Sequence, residues 1–112
     1  MAYAVENALF QWREGEQRVR HANDHERRRL ERAADAIVEE LRRRLGSRFL
    51  IEELAAYYGE GTDWAAELAH QRGMVGTDAS YVVDAAFARY AREASDFAGG
   101  RARESHARPD AP

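Results

Sequence analysis

Apolar residues recur along this chain at intervals of three and four, the spacing that aligns them on one side of a helix. Val5, Ala8, Leu9 and Trp12 form the first such stripe, while Tyr3 and Phe10, seven apart, fall on another side. Two apolar faces are more than a short helix needs for one small core. This segment is therefore expected between other helices or against a partner. Gly15 and the mixed run EGEQRVRHA predict a break after it.

Asn23 followed by Glu26 has the form of a capping box and predicts the start of a long helix. Leu30, Ala34, Ile37, Leu41 and Leu45 carry its stripe, Val38 widens it, and Gly46 is placed to end it. At about 1.5 Å per residue such a helix is roughly 30 Å long and is expected to be the central element. Ser47 predicts the cap of a third helix with Leu50, Ile51, Leu54, Ala55 and Tyr58 inward, ending at Gly59. Thr62 predicts a fourth, with Trp64, Ala65, Leu68 and Ala69 inward and Gly73 beyond its end. A last helix from Thr77 or Asp78 carries Val83, Ala86, Phe87, Tyr90, Ala94 and Phe97, with Tyr81, Ala85 and Ala88 on a second side. Gly99 and Gly100 are expected to stop it, and RARESHARPDAP lacks an apolar period. No stretch alternates as a strand does. The expectation is an all-α fold, a small orthogonal or bundle-like domain of four to five helices over residues 1–98, with a disordered tail over 99–112.

Composition narrows the chemistry. Cysteine is absent, which removes disulfides, thiolate zinc sites and thiol nucleophiles and fits a cytoplasmic setting. No apolar run approaches the roughly 20 residues that cross a bilayer, and the start MAYAVENALFQW lacks the form of a signal peptide, so no membrane partner is expected. Every one of the 17 basic residues is arginine and alanine fills 22 positions, a bias that codon usage explains before phosphate binding does. Residues 1–46 hold ten basic and nine acidic groups, whereas residues 47–98 hold four and nine.

IEELAAYYGEGTDWAAELAHQRG, from Ile51 to Gly73, reads as two helices around a glycine-flanked turn. Ala55 with Gly59, and Leu54 with Ala65 and Leu68, give it a spacing that resembles a helix-turn-helix over about 20 residues. That resemblance implies a nucleic-acid-binding transcriptional regulator using Arg48, Thr62, His70 and Arg72. The charges oppose it: Asp63 and Glu67 stand where the second helix would enter a groove, and half or more of such contacts go to phosphates.

His21 and His25 share a helical spacing beside Asp24 and Glu26, but a closed metal site needs three or four ligands. Glu67 with His70 is a single ExxH pair, where a carboxylate di-iron bundle uses two and further glutamates. There is no GxSxG turn and no glycine-rich phosphate loop, and the paired acids Glu39–Glu40 and Glu52–Glu53 are neighbours that point apart. No enzyme, metal or cofactor is expected. The remaining signal is aromatic and basic. Tyr57 and Tyr58 are consecutive and cannot both point into one core, and Arg27, Arg28 and Arg29 stand near a helix start where positive charge is unfavourable. Glu31 and Asp35 offset that charge in part. The reading is a non-enzymatic protein-interaction or adaptor protein, in the setting of a macromolecular assembly. Phe10, Trp12 and Tyr57 serve as anchors, and Arg27, Arg28 and Arg29 match acid on a protein partner or a second copy.

Overall fold

The computed structural model describes the backbone of residues 2–46 and 50–107 and the side chains of residues 5–46 and 50–95. These form four helices, α1 (Ala2–Arg20), α2 (Asp24–Leu45), α3 (Ile51–Gln71) and α4 (Thr77–Ala107), with no strand among the described residues.

The limits of α2 follow its local chemistry. The Asn23 side chain accepts the Glu26 amide at 2.9 Å, which satisfies one of the donors a helix start leaves open. At the other end Gly46, at φ 73°, donates its amide to the Arg42 carbonyl at 2.8 Å, a backbone angle that a side chain would resist. Between them Leu30, Ile37, Val38 and Leu41 are fully buried.

α3 departs from the expected pair of helices. It runs unbroken through Gly59 and Gly61, so there are four helices, and the turn on which the helix-turn-helix likeness depended is absent. A glycine inside a helix costs only about 1 kcal/mol, which packing readily offsets. Gly61 is where that packing occurs. A Cβ there would lie 2.8 Å from the Tyr57 ring and 2.9 Å from that of Phe87, so the missing side chain admits a ring from α4. Thr62 does not cap a helix start; its hydroxyl donates back to the Gly59 carbonyl at 3.0 Å.

Gly15 likewise lies within a continuous α1, not at a break. A Cβ on it would fall 2.4 Å from Asp84 Cβ and 2.6 Å from the Tyr81 carbonyl, so α1 and α4 cross here almost backbone to backbone. α2 was expected to be central, yet each of the four helices touches the other three, and α4 makes the largest share of these contacts, with α1 above all. Phe87 meets Trp12 of α1 and Tyr58 of α3, and Glu93 accepts Arg42 of α2 at 2.6 Å. Two further α4 arginines extend the pattern, Arg89 to Asp35 of α2 and Arg92 to Glu16 of α1. The backbone of α4 stays helical past Gly99 and Gly100 to Ala107, beyond the predicted stop.

A short link, Arg72–Gly76, joins α3 to α4. The Met74 amide returns to the Ala69 carbonyl at 3.0 Å, and the Met74 side chain seals the core from below.

Candidate functional site

Three rings from three helices form the centre of the core. Trp12, Tyr58 and Phe87 have centroids 5.1–5.8 Å apart, two of the three pairs edge to face, the arrangement that aromatic quadrupoles favour. Trp12 is only 1 % exposed and its indole N–H has no acceptor among the described residues. It is a core residue, and its assignment as a docking anchor is withdrawn: the stripe that holds Ala8 and Val19 turns it inward. Tyr57 is half-buried, and its hydroxyl accepts the Trp64 indole N–H at 2.9 Å, which joins two residues of α3 one above the other. Phe10, on the opposite side of α1, is 62 % exposed, with Leu9 beside it at 36 %. Leu9 thus leaves the stripe on which it was placed.

The arginines separate into two kinds. Arg27 is held by Asp24 at 3.1 Å and Glu31 at 3.8 Å on its own helix. Arg43 and Arg44 share Glu40, and Arg44 also stacks over the Trp64 ring at 4.5 Å. These serve α2 and its packing. Arg28 and Arg29 are exposed, with no carboxylate partner among the described residues. Arg29 lies with Arg32 of α2 and Arg72, just past the end of α3, around a hollow of about 230 Å³ also lined by Ala33. Sequence reasoning had divided Arg29 and Arg72 between two alternative functions, with Arg32 beside Arg29 in the protein-docking strip.

A second hollow, of about 300 Å³, lies between α3 and α4 and includes Tyr58, Thr62, His70, Ser80 and Asp84. Thr62 and His70 are therefore neighbours along this groove, whereas Arg72 opens on the other hollow, and Arg48 lies outside the described residues. The Tyr58 hydroxyl donates to Asp84, and the Gln11 side chain lies 3.1 Å from the same hydroxyl. Burial pushes the Asp84 carboxyl up to about 6, against the opposing pull of the Tyr58 hydrogen bond, and burial likewise raises the Tyr58 phenol. Among the described residues no three His, Asp or Glu side chains converge on a metal-sized space.

Asp84 has a measurable consequence. With its folded value raised above the unfolded one, its contribution is fully present below pH 4 and is lost as pH rises through about 6. The whole shift would correspond to about 3 kcal/mol, but the half-buried carboxyl is screened by water, and about 1 kcal/mol is expected. Asp84→Asn keeps an acceptor for Tyr58 and removes the charge. Thermal unfolding of the variant should match that of the parent near pH 4 and exceed it near pH 7.

No family model matches this sequence, and no curated protein or solved structure is significantly similar to it. No helix among the described residues is long and apolar enough to cross a membrane.

Proposed function

We propose that this chain is a non-enzymatic protein-interaction domain, acting in the cytoplasm as an adaptor or regulatory subunit of a larger assembly. In this reading the four helices form a bundle-like frame whose core is closed by α4, and α1 turns its outer face to a partner. The observation that supports it is Phe10. Among the described residues it is the one exposed aromatic ring, while Trp12, Tyr90 and Phe87 are buried and Tyr57, Tyr58, Trp64 and Tyr81 are at least half-buried. A phenylalanine held on a rigid helix, with Leu9 next to it, is suited to fill an apolar pocket on another protein. Arg28 and Arg29, exposed on α2 without a carboxylate partner among the described residues, match an acidic rim on the partner.

The test places a photo-crosslinking residue at position 10 in the full chain and exposes it to a nuclease-treated lysate of the source organism. A single crosslinked protein, competed by excess unlabelled parent and not by Phe10→Ala, supports the reading. A crosslinked second copy, matched by a dimer in sedimentation, assigns the face to self-association. No competed crosslink, or loss of all capture with nuclease, removes it.

A further inference from the structure

We infer that the hollow between α2 and α3 is a binding site for a compact dianionic phosphate group, held by Arg29, Arg32 and Arg72. Three arginines line one small depression, yet none of them has a hydrogen-bond or ion-pair partner among the described residues. Arg13, Arg20 and Arg28 also have none, but none of those three lines this hollow. Arg18, Arg27, Arg42, Arg43, Arg44, Arg89 and Arg92 are all engaged by carboxylates.

Helix electrostatics account for only part of the arrangement. Arg72 closes the C-terminal end of α3, and Arg29 reaches over the same end, its Nη2 lying 3.6 Å from where a Cβ on Gly73 would stand. A helix terminus supplies about half a negative charge, and the full positive charges of Arg29 and Arg72 both stand at it, with Arg32 on the same hollow. The last carbonyls are also already occupied, Ala69 by the Arg72 and Met74 amides and His70 by that of Gly73. Among the described residues no carboxylate pairs with these three arginines. Guanidinium forks present paired N–H donors in a plane, the geometry that phosphate oxygens accept two at a time.

The surroundings favour a compact anion over a polymer. Asp24, Glu26, Glu31 and Asp78 lie on the neighbouring turns, where they engage Arg18 and Arg27. A nucleic-acid backbone tracking across this end would meet those carboxylates, whereas a single phosphate seated between the three arginines would not. A monoester or inorganic phosphate also carries more charge per group than a phosphodiester, about 1.5 to 2 negative charges for a monoester at neutral pH. This inference does not depend on the docking role of Phe10.

The isotopically labelled full chain is titrated with inorganic phosphate, with phenyl phosphate, with a short single-stranded oligonucleotide lacking terminal phosphates, and with sodium chloride at matched ionic strength. The expected result is saturable shifts at the Gly73 amide and the three arginine Nε–H groups with both phosphates, at an apparent Kd on the order of 1 mM or below. Inorganic phosphate alone binding identifies a free-anion site; phenyl phosphate binding at least as well identifies a phosphate carried on a larger molecule. Arg29→Ala, Arg32→Ala and Arg72→Ala should each weaken binding roughly tenfold, while Arg13→Ala leaves it unchanged. All three side chains are exposed, so the variants are expected to unfold at the parent temperature. Equal shifts with chloride, unaltered binding by the three variants, or tighter binding of the oligonucleotide than of phenyl phosphate would overturn the assignment.

Discussion

Gly15→Ala is expected to destabilise the protein by about 2 kcal/mol, while Gly59→Ala, the same chemical change two helices later, is expected to stabilise it by about 0.5–1 kcal/mol. Both glycines lie inside helices, and in both alanine gains the same helix propensity. The difference is what the new methyl meets. At Gly15 it meets Asp84 Cβ at 2.4 Å, the Tyr81 carbonyl at 2.6 Å and the Ala85 amide at 2.9 Å, all of them backbone or one bond from it. None can rotate aside, so α1 and α4 must separate along the contact that includes Trp12 and Phe87. Overpacking of this kind costs about 1–3 kcal/mol or more, which exceeds the propensity gain. At Gly59 nothing lies within 4 Å and the position is exposed. Gly61 is intermediate, since its near neighbours are the edges of two rings that can shift. Urea unfolding followed by circular dichroism measures all three. A Gly15→Ala protein as stable as its parent would mean that the two helices do not cross at that point.

The second large effect separates two residues that the sequence had grouped. Trp12→Ala is expected to cost about 3–5 kcal/mol, a large part of the roughly 5–15 kcal/mol that holds a domain of this size folded. It removes the ring shared by Tyr58 and Phe87 and leaves a cavity where three helices meet. Phe10→Ala, two positions away, should change stability by less than about 0.5 kcal/mol, because the ring is mostly in water already. Trp12→Phe should fall well short of the alanine loss, because it keeps a ring against both neighbours and removes the N–H that has no acceptor among the described residues. Denaturant midpoints of the three variants decide this. If Phe10→Ala were as destabilising as Trp12→Ala, the outer face of α1 would be structural and the docking role would lose its support.

These two comparisons also show how far the residues alone could lead. The ends of α2 were readable because a cap and a left-handed glycine are local chemistry, complete within four residues of the helix. Gly15 and Gly61 were misread for the opposite reason. A glycine that makes room for another helix and a glycine that turns the chain leave the same mark in a sequence, and only the neighbour from far along the chain tells them apart. Asp84 lies against Gly15, and Phe87 against Gly61. The inward stripe of α1 was legible at Ala8 and Trp12, but Leu9, one position away, belonged to the other side. The meeting of Arg72 with Arg29 and Arg32 had no local signature. It exists because α2 and the end of α3 pass beside each other, and the segment between them had been divided at a turn that is not there.

The pairing of α1 with α4 bears on how the chain is made as well as on how it stands. Synthesis delivers α1 first and its main partner last; Glu16 and Arg92, which join the two, are 76 residues apart. Until the ribosome has released α4, the side of α1 that carries Ala8, Trp12 and Val19 lacks its main cover, and that is the period in which nascent apolar surface is most exposed to aggregation or to chaperones. The final closure joins segments remote in sequence, so it should set the folding rate, in spite of the speed with which each helix can form by itself.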